Sequence, residues 1–132
     1  MNSFERLMGR HSQKIFSIIR IVFGFLFFSH GAQKLFGAFG GHGTMGSSEF
    51  LLAGIIEVLG GIVIAIGFRA RYAAIITAGE MAVAYLTVHF PQGTWPIENG
   101  GELAVLYFLF FIFTIANGSG SWSVDAIILK KK

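Results

Sequence analysis

Phe50-Leu-Leu-Ala-Gly54-Ile-Ile-Glu57-Val-Leu-Gly60-Gly61-Ile-Val-Ile-Ala-Ile-Gly-Phe68 carries a single ionisable side chain, Glu57, in nineteen consecutive residues. A helix rises about 1.5 Å per residue, so roughly 20 apolar residues are needed to cross about 30 Å of hydrocarbon. The stretch therefore predicts a membrane-spanning helix over residues 50–68. Working outward, three more apolar runs of similar length stand at residues 15–36, 71–90 and 101–117. The expected architecture is all-α: one polytopic membrane domain over residues 1–132, built as a four-helix bundle. The first run is too long for a signal peptide and no small-residue cleavage site follows it, so it is read as retained.

Composition points to the same solvent. Of 132 residues, 54% are hydrophobic and 13% charged, and Phe supplies 15 aromatics against 3 Tyr and 2 Trp. Mean hydropathy is +0.67. Soluble globular chains carry about 25% charged residues, so a soluble domain and a disordered chain are both excluded. A net charge of +3, from scattered cations, makes no phosphate-tracking stripe, and no nucleic-acid partner is expected. The absence of cysteine removes disulfides, thiolate nucleophiles and iron–sulfur clusters from this chain.

The connections sharpen the layout. Residues 37–49 are Gly-rich and end in Ser47, Ser48 and Glu49, good helix-start residues. Gly40, Gly41 and Gly43 follow no strand and make no phosphate loop. A short turn at 68–72 makes the second and third spans antiparallel neighbours. Pro91, Gly93, Pro96, Gly100 and Gly101 break the chain before the fourth span, with Trp95 beside them. Trp95, Trp122 and Tyr72 read as interface anchors. Eight of the ten Lys and Arg residues lie at Arg6, Arg10 and Lys14, at Arg69 and Arg71, and at Lys130, Lys131 and Lys132. The loops on the other side have none, so the positive-inside rule places both termini in the cytoplasm.

Each span nevertheless contains an ionisable group, which costs about 2.5–3.5 kcal/mol at mid-bilayer even on an insertion scale, so these groups should face the bundle interior. Arg20, Gly24, His30, Gly31 and Lys34 share one sector of the first span, and Glu57 shares its face with Gly54, Gly60 and Gly61. Glu80 lines up with Ala73, Thr77, Ala84 and Thr87, while Ala74, Ala78 and Ala82 form a ridge suited to helix packing or a homo-oligomer contact. Helical rise puts Glu57 about 10 Å below the outer helix end, with His30, Lys34, His89 and Glu102 also in the outer half. Lys34, Arg20 reaching up from the inner half, and a protonated histidine would offset Glu57, Glu80 and Glu102. Two readings stand: structural ion pairs, or a polar pocket or proton path. A metal site of His30, Glu57 and Glu102 lacks the usual ligand spacing, and none is expected. His89 reads as an interfacial hydrogen-bonding residue, His42 as a solvated loop residue and His11 as a tail residue.

Arg20-Ile-Val-Phe-Gly24, His30-Gly-Ala-Gln33-Lys34-Leu-Phe-Gly37, Gly54-Ile-Ile-Glu57-Val-Leu-Gly60-Gly61 and Gly67-Phe-Arg69-Ala-Arg71-Tyr-Ala-Ala74 form a recognisable series. Met81-Ala82, Gly101-Glu102 and Gly118-Ser-Gly120-Ser-Trp122-Ser123-Val-Asp125 continue it. Over nearly its whole length the chain resembles the DoxX family of small bacterial membrane proteins. The resemblance implies a four-helix bundle and an association with membrane oxidoreductases: thiosulfate:quinone oxidoreduction, quinone and catechol detoxification, or oxidative-stress complexes. It directs attention to Arg20, His30, Gln33, Lys34, Glu57, Glu102 and the Trp122–Asp125 tail. Without a thiol, a covalent persulfide relay cannot run through this chain.

The resulting expectation is an oxidoreductase subunit that binds a quinone, or a comparable flat lipophilic carrier, and works with a redox partner protein. Glu57 would handle protons, while His30 and Lys34 would polarise the quinone oxygen. Gly60 and Gly61 would make room for the ring, with Arg20, Gln33, Glu80 and Glu102 completing the pocket. The alternatives are a non-catalytic anchor or assembly partner with a purely structural ionic cluster, and a proton-coupled small-molecule carrier.

Overall fold

The computed structural model describes residues 1–43 and 46–130. Lys131 and Lys132, counted above among the C-terminal cations, lie outside the described residues. Six α-helices occur among those described: α1 Ser3–Phe36, α2 Ser48–Ile66, α3 Ala70–Ala84, α4 Pro96–Asn99, α5 Glu102–Asn117 and α6 Val124–Lys130. By length and composition, α1, α2 and the helical stretch Ala70–Gln92 can cross a membrane, and α5 is apolar but shorter.

The first helix begins twelve residues earlier than its apolar run. Asn2 Oδ1 accepts from the Glu5 backbone N–H at 2.8 Å, and Glu5 Oε2 accepts from the Asn2 N–H at 2.8 Å. This reciprocal capping box satisfies two donors that a helix start would otherwise leave open. It sets the start of a 34-residue helix whose first thirteen residues are exposed, about 50 Å long by helical rise and so longer than a bilayer is thick.

The third run departs from a plain α-helix at its C-terminal end. After Ala84 the chain widens into a π-helical turn, Tyr85–His89, then tightens into a 3-10 turn, Phe90–Gln92. Pro91 explains the change: it has no N–H to return to residue 87, and its ring would collide with that carbonyl in α geometry. Beyond it, Asn99 is buried and organises the connection into α5. Its side-chain amide donates to the Gly93 carbonyl (2.9 Å) and the Tyr85 hydroxyl (3.2 Å), and its Oδ1 accepts from the Gly101 N–H at 2.8 Å. His89 Nδ1 lies 3.2 Å from the Asn99 carbonyl and donates to it.

Packing begins with α1 and α2, antiparallel and in backbone contact. A Cβ added to Gly24 would lie 2.6 Å from the Ala65 nitrogen, one on Gly31 2.6 Å from the Val58 nitrogen, and one on Gly61 2.5 Å from the Phe28 nitrogen. Small residues permit this approach, and dispersion between the two backbones rewards it in a solvent that is itself apolar. Helix α5 closes the other side through aromatic faces. Phe23 stacks on Phe110 with centroids 4.2 Å apart, and Phe27 meets Phe111 edge-on at 4.9 Å. Ala74 and Ala78 are buried in the same core, so this part of the alanine ridge of α3 packs internally, while Ala82 is half-buried.

Arg20 holds the opposite end of the molecule from Lys34. Its guanidinium is fully buried and donates to the carbonyls of Ile64, Ala65 (2.6 Å) and Trp122 (2.6 Å). The first two belong to the last turn of α2, where carbonyls have no helical partner. Asp125 completes the knot: its carboxylate accepts from the Arg69 N–H at 2.9 Å and from the Ser119 hydroxyl, and its own N–H donates to the Gly67 carbonyl at 3.1 Å.

Gly61→Leu should prevent α1 and α2 from closing and lower the detergent melting temperature sharply, because backbone cannot move aside and overpacking costs about 1–3 kcal/mol or more. Gly79→Ala, with open space around the added carbon, should be neutral or stabilising by up to about 1 kcal/mol. Arg20→Lys should destabilise comparably to Arg20→Met, since one ammonium cannot reproduce a planar fork shared among three carbonyls; thermal unfolding of both variants checks this.

Candidate functional site

Two turns of α1 and one of α2 bring the polar cluster together. The α1–α2 contact sets Lys34 opposite Glu57, and Lys34 Nζ donates to Glu57 Oε1 at 2.6 Å. Glu57 is only 3% exposed, and its other oxygen, Oε2, is buried without a hydrogen-bond partner. From α3, Glu80 comes close enough to interact electrostatically with both Glu57 and Lys34. Both Glu80 carboxylate oxygens are buried and neither has a partner. The ammonium also stands 5.5 Å from the Phe50 ring centroid.

His30 lies one turn before Lys34 and meets the Tyr107 ring edge-on, with centroids 6.0 Å apart. Tyr107 is buried and within electrostatic reach of Glu57. It was not among the residues expected from the sequence. The signal available was a hydroxyl-bearing ring in the otherwise apolar Leu103–Phe113 region, a residue type that is usually placed for its polar tip. Lys34, Glu57 and Glu80, flanked by His30 and Tyr107, therefore form one site drawn from α1, α2, α3 and α5.

The other expected residues fall elsewhere. Arg20 is fourteen residues from Lys34 on the same helix, about 20 Å by helical rise, and its guanidinium is spent on backbone carbonyls. It does not reach up to the acids, as expected from sequence. Gln33 points to the Gly-rich loop, donating through Nε2 to the Phe39 carbonyl at 3.0 Å. Glu102 is exposed in the first turn of α5, where a carboxylate complements the helix dipole. Neither glycine offers room for a ring where a Cβ would stand: a Cβ on Gly61 would lie 2.5 Å from the Phe28 nitrogen, and one on Gly60 2.6 Å from the Thr77 methyl. With Glu102 outside the cluster, no group of three potential metal ligands forms among the described residues.

Chemically, the site has one strong donor and several unused acceptors. Lys34 neutralises one carboxylate. With both acids and the ammonium ionised, the cluster holds one excess negative charge, which one proton or one cationic group would cancel. Buried polar atoms without partners are uncommon and costly. Three such oxygens on two neighbouring acids mark the place where an exchangeable proton or a hydrogen-bond-donating ligand would be accommodated.

Comparison with known proteins identifies the family. The DoxX family model matches residues 15–90, the part of the chain that contributes Lys34, Glu57 and Glu80. An uncharacterized protein of Haemophilus influenzae is 36% identical over 99% of this chain and 100% of its own length. A Bacillus subtilis protein named "Putative oxidoreductase CatD" is 27% identical over 87% of each chain. An uncharacterized membrane protein of Mycobacterium tuberculosis is 26% identical, covering 98% of this chain and 90% of its own. No solved structure matches the chain. With a family match over more than half its length and a relative 36% identical along nearly all of it, the chain belongs to the DoxX family of membrane proteins.

Proposed function

We propose that the chain is a four-helix membrane bundle with both termini cytoplasmic, and that it serves as a quinone-binding subunit of a membrane oxidoreductase. The observation that carries the reading is the buried Glu80 carboxyl, both oxygens without partners, beside the Lys34–Glu57 pair. The residues fit such a ligand. A quinol offers two O–H donors to the unused oxygens of Glu57 and Glu80, and a quinone carbonyl accepts from Lys34. When bound, the quinone supplies the two-electron couple that this chain lacks. The chain's own part is to hold the head group at Lys34, to pass protons through Glu57 and Glu80, and to exclude water with Phe50 and Tyr107. Electrons come from a redox partner, and the name of the Bacillus subtilis relative supports that class of activity.

A second reading is supported by the short 2.6 Å Lys34–Glu57 contact and by the spending of Gly61 and Arg20 on packing. In it the protein is a non-catalytic anchor or assembly partner, and the ion pair only locks α1 to α2.

Organic extracts of the mildly solubilised protein, quantified by mass spectrometry, should contain close to one quinone per chain. Glu80→Gln should remove it while the protein still unfolds near the parent temperature. Quinone at the level of an unrelated membrane protein would overturn the proposal.

Lys34→Met should cost about 3–5 kcal/mol by leaving the Glu57 charge buried and unpaired, and adding Glu57→Gln should recover most of that loss. If the double variant is stable and still holds quinone and turns over, the assignment of Lys34 and Glu57 to the quinone chemistry is overturned; if parent and double variant alike hold no quinone, the anchor reading replaces the redox one.

Because the chain has no cysteine, single cysteines report orientation without background. Ser12→Cys should react with an impermeant maleimide only in opened cells, and His42→Cys in intact ones.

A further inference from the structure

Away from the polar cluster, α2 and α3 diverge on their outward side and leave an apolar groove of about 400 Å³. Ligand sites commonly span about 300–1,000 Å³, so the groove is of useful size. Its origin is local. Gly60 and Ala73 supply almost no side chain to the floor, while Ile56, Val63 and Ile76 build the walls. At the end that gathers cations the groove finishes at Phe68, Arg69 and Tyr72. Tyr72 is 67% exposed.

Arg69 is an unusual residue at that mouth. It has a left-handed backbone (φ 46°), a strained conformation for a non-glycine residue. The conformation is held by the Asp125 carboxylate, which accepts the Arg69 N–H at 2.9 Å. The backbone is thus pinned, but the guanidinium is not committed. Among the described residues it has no carboxylate or carbonyl partner, and it stands 6.0 Å from the Phe68 ring centroid. Its neighbour Arg71 is used differently, donating to the Ile115 carbonyl at 2.7 Å. A free planar fork beside a phenol, at the open end of a wholly apolar groove, is a set of donors waiting for an anionic oxygen group attached to a hydrocarbon chain.

We propose that this groove is a binding site for an anionic phospholipid, with one acyl chain along Val63, Gly60 and Ala73 and the phosphate held by Arg69 and Tyr72. Charge complementarity selects the occupant. A neutral lipid or a second apolar helix fills the groove but leaves the guanidinium without a counter-charge. Arg10 and Lys14 add to the positive field at this end of the molecule without lining the groove. Since the site is separate from Lys34, Glu57 and Glu80, the proposal stands apart from any role in quinone binding.

The test is native mass spectrometry of the full chain in mild detergent, titrated with phosphatidylglycerol or phosphatidylcholine of identical chains. One juxtamembrane cation is worth about 1 kcal/mol toward an anionic lipid, or about fivefold in affinity, so the first phosphatidylglycerol should bind about fivefold more tightly. Arg69→Gln, an exposed change that leaves the fold intact, should abolish that preference while phosphatidylcholine still binds. Ala73→Trp, which fills the floor, should weaken both lipids. Lys14→Gln should leave the preference unchanged. Equal affinities in the parent, a preference that survives Arg69→Gln, or an equal loss in Lys14→Gln would each overturn the site, as would displacement of lipid by a second copy of the chain. Binding of glycerol phosphate, without an acyl chain, at comparable affinity would overturn the role of the groove.

Discussion

Helices α1 and α2 meet where neither can carry a side chain. Gly24 and Gly31 on one helix face Ala65 and Val58 on the other, and Gly61 faces the backbone of Phe28, with no room for a Cβ at any of the three. The electrostatics of the molecule depends on that closeness. At one end it brings the Arg20 guanidinium to the last carbonyls of α2; at the other it brings Lys34 within 2.6 Å of Glu57. A separation larger by one methyl group would leave both cations short of their partners, in a medium where unpartnered charge is expensive.

The two cations then diverge in what they do. Arg20 is surrounded by neutral carbonyls and joins α2 to the chain around Trp122, so that its charge serves a cap. Lys34 is a quarter exposed and faces carboxylates, of which it satisfies one oxygen and leaves three unused. A structural pair would be expected to use its acceptors; a site for exchange needs them open. Both ends rely on side chains reaching across the α1–α2 contact, which couples the stability of the pair to the composition of the cluster.

Much of this was legible in the residues. The apolar runs predicted the long helices because in lipid the backbone must satisfy itself within the segment. Ser47 and Gly37 marked helix ends because a side-chain acceptor and a left-handed glycine do so locally, whereas Gly67, read inside the second span, in fact ends α2. Helical facing turned Lys34, Glu57 and Glu80 inward, but in company with Arg20 and Glu102. The extension of α1 to Ser3 was missed since hydropathy ends at residue 15 while the capping box lies beyond it. The widening of α3 at Tyr85 was hidden behind Pro91, which announces a break but not its form.

Sequence by itself determined that the chain is helical, membrane-embedded and forced to bury its acids, because composition, run length and local capping are properties of single segments. Only the tertiary structure decided which charges meet. Arg20, Gln33 and Glu102 share the sequence signature of Lys34 and Glu57, yet they end at carbonyls, at a loop and at an exposed helix start. Gly60 and Gly61 look alike in sequence, yet one meets a threonine methyl and the other a backbone. The physical reason is that a helical wheel gives direction around one axis, whereas contact depends on how two axes cross, how far apart they stand and at what register, and those are set by packing between segments distant in the chain.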